Sequence, residues 1–457
     1  MDYFETRYNR KRGKRRWDIQ TFGSVKDEVN WHIEQNLVHS IHTSARLSHR
    51  GCRRRWDFAT RQMYYPLVTP KPLEFGVAFH KAMEKFYDPM TWGQWEVAAA
   101  LAKMAFREEC QEQYRKYKKL NQGNIDPTMK AEYEDRIKMG LGMLDYYTKY
   151  VSSAFDHGFK PVKVEIEFEV PITDPDGNYM WCKCKQCWRR WRHSDAGAEH
   201  HDKWQESLGE ADYELGTSIN PDYYRLHVWS GLPVTYGGRI DMLAQDEDGN
   251  YWVFDWKTAA RLAGKDAGTD DDFMLLDDQI TSYCWALWVL GFPIAGFVYA
   301  EIKKAVPEEP EPNKHIRLGR MYSVSRQIAT TYEMYYRTVS ENDPQAFAAG
   351  LYDDFLEFLK SPEGPKYHVR HQIKRTEIEL RNAGINIWHE ASEMTEPNHR
   401  IFPSPGRFAC TNCAYKEPCV MMNRGEDYQY ALNTLFEKRT KHYWEDRAPS
   451  TDSKGGS

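Results

Sequence analysis

Two carboxylates and a lysine stand at a spacing that suits hydrolysis of a charged ester. Gly238-Arg239-Ile240-Asp241 ends one apolar run, and Tyr251-Trp252-Val253-Phe254-Asp255-Trp256-Lys257-Thr258 forms another. Asp246-Glu247-Asp248-Gly249-Asn250 between them carries the Asp-Gly signal of a hairpin turn, so the pairing brings Asp241 towards Asp255. Side chains two apart on a strand share a face, so Asp255 and Lys257 point one way and Trp256 the other. Carboxylate oxygens suit Mg²⁺ or Mn²⁺, and a lysine beside such an ion can orient a water or steady charge developing on a phosphate. An isolated D-x-K also reads as an ordinary surface ion pair. Its neighbours in the sequence argue otherwise.

Phe75 to Tyr87 has apolar residues at helical spacing, and it places His80 and Glu84 on one face. A lone histidine on a helix is most often structural. Gln279-Ile280-Thr281-Ser282-Tyr283 opens another helix with Gln279 and Tyr283 one turn apart. That pair could hold a DNA phosphate or the lysine, or simply face water.

The order G-x-x-x-H, G-R-I-D, D-x-K-T, Q-x-x-x-Y resembles the RecB-like branch of the PD-(D/E)XK nucleases, in the aspartate form of RecB and AddB. The resemblance implies a restriction-endonuclease-like α/β fold, a mixed sheet flanked by helices. It implies His80, Asp241 and Asp255 as metal ligands with the Trp256 backbone carbonyl, Lys257 as the catalytic lysine, and Gln279 and Tyr283 in support. It further implies Mg²⁺ or Mn²⁺ as cofactor and DNA as substrate, hydrolysed exonucleolytically from single-stranded ends, in recombination, repair or replication-intermediate processing. A helicase or recombinase would be the partner delivering DNA. Compact, unfused versions of this kind are often phage-encoded. Two rival readings are a structure-specific endonuclease and a non-catalytic DNA-binding scaffold.

Cys410, Cys413 and Cys419 give C-x2-C-x5-C near the C-terminus, and Cys52 stands alone near the start. Four thiolates can hold a [4Fe–4S] cluster, and AddB-type and CRISPR-associated RecB-type exonucleases are similar in placing one cysteine before the core and three after it. Zinc in the same thiolates is the competing occupant, and unliganded reduced thiols are the bland alternative. A further group, Cys182, Cys184 and Cys187 with His193, His200 and His201, could complete a zinc site or form a loop of free thiols. It falls in residues 173–230, which read as an insertion whose interleaved Trp and Arg/Lys could contact DNA. Cys110 and Cys284 lie in apolar helical patterns and read as core.

The chain has 457 residues, 41% hydrophobic and 14% aromatic, enough for one nuclease core with accessory elements. The expected organisation is a basic region 1–75, a core 76–300 broken by the insertion, a mainly helical 301–405, an iron–sulfur segment 406–440 and a disordered tail 441–457. A net charge of −5 does not itself point to nucleic acid. Two basic runs, Arg7 to Arg16 and Arg50 to Arg61, could each lead DNA towards the site or be solvated faces. No signal-peptide pattern occurs, and the longest apolar stretch, Cys284 to Ala300, is broken by Gly291 and Pro293, so no membrane partner is expected. C-x2-C grouping favours metal over disulfides, and the expected location is the cytoplasm. No G-x-x-x-x-G-K-[ST] is present, so ATP hydrolysis is not expected of this chain.

Overall fold

A computed structural model describes residues 31, 37–38, 40–67, 71–121, 127–182, 234–262, 271–396 and 399–439. Cys184, Cys187, His200, the basic run from Arg7 to Arg16 and the tail lie outside them, as does most of the expected insertion.

Strand β1 (Ser40–Ile41) leads into helix α1 (Thr43–Gly51), and β2 (Tyr64–Pro66) precedes the long helices α2 (Lys71–Phe86), α3 (Trp95–Leu120) and α4 (Pro127–Tyr146). The last of these runs on as a π-helical turn, Tyr147–Val151. Strands β3 (Phe159–Pro171), β4 (Thr235–Asp246) and β5 (Tyr251–Ala259) follow, then helix α5 (Asp278–Val289) and β6 (Ile294–Lys303). Beyond them come the hairpin β7 (Pro312–Arg317) and β8 (Arg320–Tyr322), strand β9 (His368–Lys374), helix α6 (Glu377–Met394), helix α7 (Lys416–Arg424) and β10 (Phe436–Lys438).

The central sheet is mixed, and its strand β4 has three partners. β3 pairs antiparallel along the whole of one edge, from Phe159↔Asp246 to Pro171↔Thr235. On the other edge β1 pairs parallel at Thr235 and Tyr236, while β5 pairs antiparallel only from Met242 to Gln245. The β4 and β5 strands therefore part beyond Met242↔Phe254, leaving a fork that opens on the Gly237–Asp241 edge. From there β5 pairs parallel with β6, and β6 antiparallel with β9.

Alternation along β5 decides the layers. Trp252, Phe254 and Trp256 face one core with Phe75, Phe79, Met83 and Phe86, a helical stripe of α2. Val253 faces the other core, with Ile280 and Cys284 of α5 and Leu380, Ala383 and Ile387 of α6. Cys110 and Cys284 are fully buried, as expected, and burial pushes both thiols up to about 12.

Residues 301–405 depart from the expectation of a mainly helical region outside the core. Helices are present, but β9 completes the sheet and α6 packs on α5. The sequence His368-Val369-Arg370-His371-Gln372-Ile373-Lys374 has no apolar run, so it gives no strand signal of its own. The start of the expected insertion is a small hairpin, Thr173 bridging Tyr179, whose Met180 joins the core. Among the described residues no helix is long and apolar enough to cross a membrane.

Candidate active site

The turn between β4 and β5 is built by Asp246, whose Oδ1 accepts from the amides of Asp248 at 3.1 Å and Asn250 at 2.8 Å, with Gly249 at φ +85°. This fixes the hairpin register and sets Asp241 and Asp255 on the two arms of the fork.

Asp241 is gripped from both sides. Its Oδ1 lies 3.0 Å from His80 Nδ1 of α2, and its Oδ2 accepts from the Trp256 amide at 3.0 Å. A side chain thus takes the place of a ladder bond where the strands separate. Burial alone would raise this carboxyl. His80, Lys257 and the Trp256 amide outweigh it and hold Asp241 below the ordinary carboxylate range. Asp255 goes the other way, since burial and then the Asp241 charge push it up while Lys257 pulls it down.

Lys257 Nζ lies 2.8 Å from Asp255 Oδ1 and 2.7 Å from Oδ2, and Gln279 Nε2 donates to the same Oδ1 at 3.3 Å. Burial disfavours the Lys257 charge, but Asp255 and Asp241 hold its pKa above the usual value. It is therefore a fixed cation and donor rather than a base. Tyr283, one turn along α5 from Gln279, sets its ring edge-on to Phe168 at 5.6 Å and lies over Gly238, where an added Cβ would meet it at 3.3 Å.

Among the described residues, the group of three whose ligand atoms all lie within 4.8 Å of one another is His80, Glu165 and Asp241. The sequence reading contained two of these and missed Glu165. Glu165 occupies β3 opposite the Asp241 region in left-handed backbone, φ +50°. A non-glycine residue there is strained, which turns the side chain out of the simple alternation of the strand. Its carboxyl is raised by burial, against the pull of Arg239, whose Nε is 2.7 Å from Oε2. A histidine nitrogen with carboxylate oxygens fits Mn²⁺ well and Mg²⁺ acceptably. Asp255 is joined to Lys257 rather than to that group.

The arginines of the second basic run are partnered by neighbouring side chains while staying at least partly exposed. Arg50 pairs with Asp278 and Glu390, Arg53 with Glu393, and Arg61 with Asp57. Arg54 bonds Asn423 at 2.6 Å and Arg55 bonds Ser48 at 3.1 Å.

Cys52 follows α1, and Cys410, Cys413 and Cys419 come from the short helix Arg407–Thr411, the turn after it and α7. Three of the sulfurs accept hydrogen bonds: Cys52 from the Ser404 amide at 3.4 Å, Cys410 from the Gly406 amide at 3.4 Å, and Cys419 from Arg54 at 3.6 Å. Cys413 is raised by burial, and Cys52 and Cys410 are close enough to raise it further. Cys182, the one described member of the other cysteine group, is buried.

The family model described as the PD-(D/E)XK nuclease superfamily matches residues 48–420. No curated protein matches the chain.

Proposed function

This chain belongs to the PD-(D/E)XK nuclease superfamily, whose members are metal-dependent nucleases that typically use Mg²⁺ or Mn²⁺, and from that premise we propose that it is a DNA exonuclease of the RecB-like kind. The observation that carries the reading is the fork of β4 and β5, where Asp241, Asp255, Lys257, His80 and Glu165 meet. Exonucleolytic action on single-stranded ends, a role in recombination, repair or replication-intermediate processing and a helicase or recombinase partner follow from the resemblance of the motif order, and a cytoplasmic site of action from the grouping of the cysteines.

His80, Asp241 and Glu165 would hold the ion, with the Trp256 carbonyl turned to the same side of β5 as its amide. A divalent ion there supplies a more acidic water and polarises the phosphate. The protein's own residues do the rest. Asp255 and Gln279 fix the Lys257 ammonium, which donates to the attacking water or to the phosphate oxygen gaining charge. Asp241, held ionised by His80, supplies a carboxylate rather than a carboxylic acid at neutral pH.

Cys52, Cys410, Cys413 and Cys419 would hold a [4Fe–4S] cluster. Hydrogen bonds from two amides and a guanidinium onto three sulfurs suit thiolates bound to iron. Zinc in the same ligands is distinguished by iron and sulfide content and visible colour.

The test is digestion of end-labelled linear and of circular single-stranded DNA with Mn²⁺ or EDTA, by the native protein and by Lys257→Ala. Metal-dependent shortening of linear DNA alone is expected, with kcat down by about 10²–10³-fold or more in the variant and DNA binding retained. Cutting of circles would make it an endonuclease, and undiminished cleavage by Lys257→Ala would remove the mechanism.

A further inference from the structure

Behind the catalytic strand lies a buried polar chain that the reaction as described does not use. Trp256 stands between Asp255 and Lys257 and points away from them, stacked on Tyr87 with ring centroids 4.8 Å apart. Its Nε1 donates to the Tyr147 hydroxyl at 3.0 Å. Tyr147 and Tyr87 hydroxyls are 2.8 Å apart, and Tyr87 donates to Asp156 Oδ2 at 2.6 Å. Arg370 of β9 closes the set, with Nη1 2.7 Å from Asp156 Oδ1 and Nη2 3.3 Å from the Tyr147 hydroxyl. Asp156, Tyr87, Tyr147 and Trp256 are each at most 2% exposed.

The direction of every bond follows from the inventory of donors. The Asp156 carboxylate, paired with the Arg370 guanidinium, accepts on both oxygens, so Tyr87 spends its proton there. Tyr147 must then donate to the Tyr87 oxygen, and its own oxygen accepts from Trp256 and Arg370. The chain has one polarity, from the indole to the carboxylate, and each hydroxyl proton is used once. Burial raises both phenols, which keeps those protons in place.

A core that needed only volume would carry Phe at both tyrosine positions. Burying an ion pair and two hydroxyls gains little stability over apolar packing, but it specifies position. The ladder to β6 holds β5 along one edge through Asp255, Trp256 and Lys257, and it is the edge towards β4 that needs positioning here. Past Phe254 the β5 strand has no ladder to β4, and on that side the Trp256 amide is held by the Asp241 side chain.

We propose that Tyr147, Tyr87, Asp156 and Arg370 are positioning residues for phosphodiester hydrolysis, holding the Trp256 indole so that Asp255 and Lys257 keep their register with Asp241. The inference rests on the catalytic reading of Asp255 and Lys257. A displacement near 1 Å costs about 10²-fold in rate, so loss of one bond in the chain is expected to show.

The experiment compares native protein, Tyr147→Phe, Trp256→Phe and the double variant for kcat, KM for DNA, the Mn²⁺ concentration giving half the maximal rate, and the melting temperature, with Lys257→Ala alongside. Tyr147→Phe removes one oxygen and keeps the ring, so the fold is expected to persist. The expected result is a kcat reduced about ten- to a hundred-fold with KM within about two-fold and a raised Mn²⁺ requirement. The double variant should lose no more than the worse single one, because both break the same bond. Unchanged kcat and Mn²⁺ requirement in both single variants would overturn the proposal, as would a loss recovered in full by assaying at lower temperature. Lys257→Ala separates the two readings: if it still cleaves, the catalytic assignment fails, and if it is inactive while Tyr147→Phe is unimpaired, only the positioning role fails.

Discussion

Glu165 shows how a single backbone angle decides what a residue does. Lys163, Glu165, Glu167 and Glu169 alternate with apolar residues, and by spacing alone all four face the same way. The left-handed conformation at Glu165 separates it from the rest and brings its carboxylate to His80 and Asp241. Replacing it by Gln is expected to raise the half-saturating Mn²⁺ concentration about tenfold or more. The metal-free protein should hold its melting temperature, because a carboxylate crowded by Asp241 and raised by burial has been removed. Activity titrated with Mn²⁺ and a melt in EDTA check both parts, and an unaltered metal requirement would exclude Glu165 from the site. The Asp255–Lys257 pair was legible beforehand because period-two alternation fixes the direction of both side chains. Glu165 was not, since nothing in its neighbours marks the departure from alternation.

At the level of elements, hairpin and helices are readable because turn chemistry and apolar periodicity agree there. The Asp246-to-Asn250 turn forms as its residues require, and α2 and α5 bring His80 and Gln279 to the hairpin from opposite layers. Strand β9 is different, because its polar sequence is imposed by its place beside β6 rather than by propensity. Its close approach depends on Gly296, where an added Cβ would stand 2.2 Å from the Ile373 carbonyl oxygen and 2.9 Å from the Lys374 Cα. Neither atom belongs to a flexible side chain, so Gly296→Ala must push the two strands apart. A destabilisation of about 2–3 kcal/mol is expected in urea unfolding. Because Arg370 rides on the same strand, activity should fall further than the lost stability explains. A variant as stable and active as the native protein would mean that the β6–β9 edge yields to a methyl group without cost.

Across the whole molecule the segments flanking the core meet on one side. β2 pairs with β10, Tyr415 donates to the Tyr64 carbonyl at 2.5 Å, and Phe58, Tyr64, Tyr415, Leu432 and Phe436 form a separate apolar cluster with Cys413 at its edge. That cluster is small, so the apolar contacts alone leave the closure weak, and a metal centre shared by Cys52 and the three C-terminal cysteines would supply the rest. Metal binding free energy then becomes folding free energy for the closure, though not for the sheet, whose two cores lie on other residues. Cys52→Ala is accordingly expected to lose its iron and to expose the segment from Arg407 to protease at a dose that spares the native protein. Strands β3 to β6 should resist as before. Limited proteolysis with mass spectrometry, run beside iron and sulfide analysis, reads both outcomes. Arg54 gives a control, since it touches Cys419 and Asn423 without being a ligand: Arg54→Gln should weaken the closure less than loss of Cys52 does. If native protein contains neither iron nor zinc and Cys52→Ala resists protease equally, the two ends are joined by packing alone and the cysteines are not a metal site.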